Sequence, residues 1–264
     1  MQSPATLDAR HPPTTPTYAG GRGRIRALPA GRVRIHEEDA ELRAAYAQLP
    51  PAAAHAARDL LASAWWLKRG RWDPRHNPPL DDSDCGYLLL DGLLLAVVEV
   101  ESRRSAELLG AGDVFRADDP DTHGYAALAS IRSFRVLAPA RLVLLESALM
   151  ARIIDVLPGV ASSLQRRLAE RARSLNIRLA IIQVPQLSQR LQLLMWHLAD
   201  RFGRICGDGA LIPFRLSHGI LAECASAQRT SVLAAIHELE QRGALERTEE
   251  GHWLLHGEPP GDLT

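Results

Sequence analysis

Lysine is almost missing from this chain: Lys68 is the only one, and arginine supplies the rest of the basic charge. With abundant alanine, this is the composition of a GC-rich bacterial genome. Cysteine is nearly as scarce. The 3 cysteines, Cys85, Cys206 and Cys224, lie far apart with no C-x-x-C pair, which excludes a disulfide framework and a cysteine-rich cluster site. Cys224 reads as a small core residue. No apolar run approaches the roughly 20 residues that span a bilayer. The N-terminus, with Pro12, Pro13, Pro16 and several glycines, lacks the apolar centre of a signal peptide. The expectation is a cytoplasmic protein with no membrane partner. Net charge is absent too, with 31 basic residues against 31 acidic ones.

Against these absences one segment stands out. Leu216 to Leu239, LSHGILAECASAQRTSVLAAIHEL, has the spacing of two short helices joined by a tight turn. Ser217 is placed as an N-cap, Leu221, Cys224 and Ala225 share one helical face, and Ser226 with Ala227 makes the turn. Val232, Ile236 and Leu239 then recur at helical spacing. Burying those three turns Gln228, Arg229, Thr230, Ser231 and Ala234 outward at the start of the second helix, the end that enters a major groove in a helix-turn-helix. Gln241-Arg242-Gly243 stops that helix, and Ala244 to Leu255 forms a small hairpin around Glu249-Glu250-Gly251, the wing of a winged helix. An ordinary helical hairpin in a larger fold matches the same pattern.

Charge argues the other way. From Pro185 to Thr264 there are about seven arginines against about ten acidic residues, whereas phosphate contacts normally leave a basic footprint. Binding by a single copy should be weak and should depend on two half-sites.

The chain divides into four parts: residues 1–34, 35–157, 158–184 and 185–258. The first is rich in Pro, Gly, Thr and Arg without periodicity and reads as a flexible basic arm. Around Leu42, Tyr46, Leu49, Ala54, Ala57, Leu60 and Leu61 short packing helices are expected, interrupted at Pro50-Pro51. From Trp65 to Leu145 the pattern becomes about eight short strands separated by turn residues, with Asp91-Gly92 as a hairpin cue. The fold class is therefore α+β, with an N-terminal β-roll of the jelly-roll type. A metal-dependent cupin enzyme would need a close histidine pair, and His36, His55, His76 and His123 are scattered. No catalytic residue and no metal site are assigned.

Between Pro158-Gly159 and Pro185 runs a helix of about 25 residues, roughly 37 Å long. Ala161, Leu168, Leu175 and Ile182 recur every seven residues, with Leu164, Ala172 and Leu179 interleaved, the seam of a two-stranded coiled coil. These seven form the expected homodimer interface, and a symmetric pair supplies the two half-sites. Packing of the same stripe on its own β domain is the alternative.

Taken in order, β-roll, long helix, LLLMWHLADRFGRI, then IPFRLSHGILAECASAQRTSVLAAIHELEQRGAL, the chain from about Trp65 to Leu255 resembles the CRP/FNR family of bacterial transcription regulators. The β-roll phrases LLLDGLLL and ELLGAGDVF are similar as well. The resemblance implies a cyclic-nucleotide-binding-like sensor domain, a homodimer on double-stranded DNA with a palindromic operator, RNA polymerase as a further partner, and no enzymatic activity. Arg229 matches the family's groove-reading arginine, which contacts guanine bidentately. Gln228 and Thr230 complete the base-reading group, and Thr230 departs from the glutamate common there, as Ala234 departs from an arginine. Ser217, His218 and Ser231 match phosphate-contacting positions. Ser226 stands where a turn glycine is usual.

For the effector, the resemblance points to HGYAALASIRSF, giving Gly124, Tyr125, Arg132 and Ser133 as the candidate ligand pocket. The family's nucleotide cassette has Glu after that glycine. Tyr125 stands here instead, so a cyclic nucleotide is not expected and no cofactor is assigned. An iron–sulfur sensor is excluded, because Met1 to Asp84 contains no cysteine. The second reading is a ligand-sensing dimeric interaction module that does not bind DNA.

Overall fold

A computed structural model describes residues 24–76, 80–81, 83–117, 131–207 and 209–260. The sheet domain contains β1 (Arg24–Ile25), β2 (Leu28–Val33), β3 (Ala62–Leu67), β4 (Gly70–Trp72), β5 (Gly86–Val100), β6 (Arg103–Leu109), β7 (Val114–Phe115) and β8 (Ile131–Leu145). Three short helices, α1 (Ile35–Glu38), α2 (Ala40–Ala47) and α3 (Pro51–Ala56), fill the link between β2 and β3. After β8 come α4 (Ser147–Val156), the long α5 (Pro158–Gln183) and α6 (Leu187–Phe202). The C-terminal unit holds β9 (Arg204–Cys206), β10 (Gly209–Ile212), α7 (His218–Cys224), α8 (Arg229–Gln241), β11 (Leu245–Arg247) and β12 (Trp253–His256).

The two longest strands, β5 and β8, pair antiparallel along most of their length and form the spine of the roll. Here the structure corrects the sequence reading. Asp91-Gly92 is not a hairpin but a bulge inside one 15-residue strand, with the register against β8 shifting at Leu89/Asp91 and again up to Leu94. Gly92 has φ +95°, and a Cβ there would lie 2.4 Å from the Pro139 carbonyl oxygen. No other residue fits that approach. The bulge also shifts the alternation of side chains by one, as a single extra residue must. Before it, Tyr87 and Leu89 face the roll interior; after it, Leu94 and Ala96 do, while Leu93, Leu95 and Val97 turn outward beneath α6.

Both faces of β5 are covered along most of its length, so its sequence is largely apolar, with Asp91 and Glu99 as exceptions, instead of alternating. Inside the roll, Trp72 packs on Phe134 with ring centroids 5.2 Å apart, on Tyr87 at 5.8 Å and on Phe115 at 6.4 Å. These four buried rings fill the interior.

The arm assigned to residues 1–34 ends earlier than the sequence indicates. β1 pairs parallel with β4 and β2 pairs antiparallel with β3, so 24–33 belong to the sheet. β2 is an outer strand carrying Pro29 and Gly31, with a register shift between them and little buried surface, so it lacks the alternation that reveals a strand. The rest of the arm lies outside the described residues.

The long helix spans 26 residues between the two prolines, as expected. Its inward face is polar along the middle, between Leu164 and Ile181. Arg167 binds Asp39 and Glu41 at 2.7 and 2.9 Å, Arg171 binds Glu107 at 2.8 Å, and Arg178 donates to the Ala106 carbonyl. Burial opposes the charge of Asp39, yet the Arg167 hydrogen bonds hold its carboxyl below the usual range. In the last turn of α6, Arg201 grips both oxygens of Asp113 at 2.7 and 2.8 Å, and Asp113 also accepts from the Gly110 amide. Along this middle stretch α5 is thus clamped to the roll by ion pairs and hydrogen bonds.

Candidate nucleic-acid interface

Ser217 caps α7, accepting from the Ile220 amide at 3.3 Å, and Leu221, Ala222 and Cys224 are buried beneath. Burial pushes the Cys224 thiol up to about 12, so it is the core residue expected and not a reactive group. Ala225 ends the helix and Ser226 adopts φ +51°. The Ala227 amide returns to the Ala222 carbonyl at 3.0 Å and the Ser226 amide to that of Glu223 at 3.4 Å, a Schellman turn with serine where glycine costs least. The second helix begins two residues on.

In α8, Val232, Ala235, Ile236 and Leu239 are buried, while Gln228, Arg229, Thr230, Ser231 and Ala234 are exposed. The outward group read from the sequence is outward in the structure. Gly243, at φ +66°, closes α8 with a second Schellman turn, the Ala244 amide bonding the Leu239 carbonyl at 3.0 Å. β11 and β12 then pair antiparallel around Thr248–Gly251, forming the expected wing. Trp253 anchors it, its indole N–H donating to the Leu216 carbonyl at 2.9 Å.

Between α8 and the wing lies a groove of about 540 Å³ bordered by His218, Thr230, Leu233, Ala234, His237 and Arg247. His218 and Thr230 were assigned from sequence; His237 and Arg247 were missed. Arg247 lies over the Trp253 ring at 5.5 Å, and a Cβ on Gly251 would sit 3.7 Å from Arg247 and 3.8 Å from Arg215. Two arginines therefore converge on the wing. The signal for Arg247 was in the sequence as alternation within the hairpin, but acidic neighbours Glu246, Glu249 and Glu250 hid it, and Arg215 lies outside the hairpin, before α7.

The winged unit is not loosely tethered. One apolar core runs from Leu93, Leu95 and Val97 of the roll through Leu191, Leu194 and Leu198 of α6 to Leu221, Val232 and Trp253. Polar contacts fix the turn: Arg135 on β8 pairs with Glu223 on α7, Arg190 donates to the Ala225 carbonyl at 3.3 Å, and Ser226 Oγ reaches the Arg104 carbonyl at 3.5 Å.

Of the seven seam residues, Leu168, Ala172 and Leu179 are exposed, Leu168 by 43% and Leu179 by 61%, while Ala161, Leu175 and Ile182 are half-buried. Leu164 is a correction: it is buried with Val160 and Ile153 in the chain's own core, because α5 begins by closing the end of the roll. The apolar stripe thus divides between the roll at its start and open surface further along.

Gly124 and Tyr125 of the candidate ligand pocket fall outside the described residues. Arg132 is exposed and donates to the Arg116 carbonyl at 3.1 Å, and Ser133 lies opposite Val97 in the sheet. The cavity that Arg132 borders, with Phe115, Phe134 and Arg171, measures about 120 Å³. Among the described residues no group of His, Cys, Asp and Glu is arranged to hold a metal ion, and no helix is long and apolar enough to cross a membrane.

A β-roll joined by a long helix to a winged helix-turn-helix is a CRP/FNR-like fold. Solved structures share it. A cyclic nucleotide-binding domain containing protein from Listeria monocytogenes EGD-e aligns with a TM-score of 0.59 and 12% identity, over 74% of this chain and 89% of that one. A CooA mutant from Carboxydothermus hydrogenoformans gives 0.57 and 13%, over 80% and 88%. The c-di-GMP responsive global regulator CLP of Xanthomonas campestris gives 0.53 and 12%, over 79% and 100%. No family model matches the sequence, and no curated relative does.

Proposed function

We propose that this protein is a homodimeric, DNA-binding transcription regulator without enzymatic activity, reading a palindromic operator through the helix that starts near Gln228. The observation that carries this reading is the exposed run Gln228-Arg229-Thr230-Ser231 at the N-terminal tip of α8, held there by a buried opposite face and a fixed turn. In a groove, Arg229 has the reach to meet a guanine edge, with discrimination of about 1 to 3 kcal/mol. Gln228 and Thr230 flank it. Ser217, His218 and Ser231 meet phosphates, and Arg215 and Arg247 on the wing side extend that contact. Leu168, Ala172, Leu175, Leu179 and Ile182 join two copies along α5, with RNA polymerase as the downstream partner in the cytoplasm.

The likeness to a regulator responsive to a nucleotide does not carry over to the roll. Its interior is filled by four aromatic rings and its cavity of about 120 Å³ is smaller than the roughly 300 Å³ at which small-molecule sites begin. The β-roll of this chain is read as a sensor of another molecule or of none.

Fluorescence anisotropy of mixed-sequence duplexes across a salt series tests the proposal. Binding at low salt that weakens with a log–log slope of about −0.9 per phosphate contacted is expected. The excess of acidic residues after Pro185 favours a second reading, a dimeric interaction module. Absence of duplex binding at low salt, with and without cell extract as a ligand source, would establish that reading instead.

A further inference from the structure

Three hollows compete as small-molecule sites. The one inside the roll is closed by aromatic rings. A second, of about 590 Å³, is bordered by Arg173 and by Arg167, Arg171 and Arg201, the last three paired with Asp39, Glu41, Glu107 and Asp113, so its lining is polar. The third has the same volume, about 590 Å³, and a different chemistry. Ile177 and Ala180 of α5 with Val184 just past its end form one wall, Leu193 and Trp196 of α6 another, and Ile205 of β9 the rim. His197 closes the inner end, its ring bonded to Ser174 Oγ at 3.0 Å, and Asp200 is the one charged group on the border.

From this geometry we infer that the hollow between α5, α6 and β9 is a binding site for a neutral, apolar small molecule. The volume lies inside the range of about 300 to 1,000 Å³ typical of such sites, and its walls offer apolar surface with a few polar groups at the ends. A charged ligand finds no unpaired arginine along these walls. The surface is open: Ile177 is 40% and Ile205 92% exposed.

A second copy joined along α5 does not cover it. At 100° per residue, Ile177 lies about 200° around the helix from both Leu175 and Leu179, on the opposite side from the dimer seam. Two of these elements, α5 and α6, are joined at the Pro185 break, where the long helix hands over to the winged unit. An occupant would therefore bias the angle between α5 and α6. Its effect on operator affinity rests on the function proposed above, but its binding does not.

The test uses the full chain without DNA and a neutral fluorescent probe, N-phenyl-1-naphthylamine. Saturable uptake of one probe per chain is expected, with energy transfer from tryptophan that falls in Trp196→Phe. Ala180→Phe, which fills the hollow from an exposed position, should abolish saturable uptake, and Val184→Phe should do the same if the first variant folds poorly. Uptake that never saturates, or that both filled variants retain, would overturn the site. So would a dimer that excludes the probe while the Leu179→Glu variant admits it, because a partner subunit would then occupy the surface.

Discussion

Arg135 of the sheet domain and Glu223 of the first helix of the helix-turn-helix, 88 positions apart, are joined by an ion pair across the junction between the two units. Both side chains are partly exposed, at 41% and 25%, so the pair contributes at most about 1 kcal/mol to stability. Its larger effect is on how the turn is held against the roll. Glu223→Ala should leave the unfolding midpoint nearly unchanged while hydrogen exchange accelerates at the end of α7. Unchanged exchange at the Ala225 amide would show that the apolar core alone fixes the junction.

Ser226 occupies a left-handed conformation that costs a non-glycine residue about 1 kcal/mol. Ser226→Gly should raise stability by about 0.5 kcal/mol at most after the added flexibility of the unfolded chain is counted. Urea unfolding measures it, and Ser226→Val should move the midpoint in the opposite direction.

The sequence showed the helix-turn-helix almost completely because its signals are local: a cap at Ser217, a 3.6-residue apolar period through Val232, Ile236 and Leu239, and a stop at Gly243. It misled at Asp91-Gly92, where a turn dipeptide serves as a bulge. Only the pairing partner, Pro139 to Arg141 on β8, distinguishes the two. The clamp of Arg167, Arg171 and Arg201 was illegible for the same reason, since each partner carboxylate lies 64 or more positions away. Heptad spacing revealed the stripe on α5 but not that Leu164 belongs to the roll.

Burial, with Arg201 and Arg178 nearby, lowers the pKa of His197 from 6.5 to about 4. The unfolded chain takes up that proton near pH 6.5 and the folded chain does not until about 4, so stability falls as pH drops through this window. His36, lowered chiefly by burial, adds to the slope in the same direction. Asp39 works in the same direction in a lower window: held below 3.8, it stabilises the fold above that pH and its contribution is lost as pH falls further. Urea midpoints measured across the upper window should fall with pH in the wild type and fall less steeply in His197→Gln. Parallel profiles for the two proteins would refute the assignment.

Leu168 and Leu179 are large apolar groups left open on α5. Leu179→Glu should convert a dimer to a monomer in sedimentation velocity without unfolding it, and Leu168→Glu should weaken the dimer as well. A wild-type protein that sediments as a monomer at micromolar concentration would remove α5 as the interface.

Selection of preferred sites from a randomised duplex pool, run in parallel on wild type and Arg229→Ala, tests the central claim most directly. The wild type should enrich a palindrome with half-site centres about 10 base pairs apart. Arg229→Ala should keep that palindrome and its spacing but lose preference at one base pair per half-site. An unchanged preference in the variant, or no enriched palindrome in the wild type, would contradict the assignment of the α8 tip as the element that reads DNA.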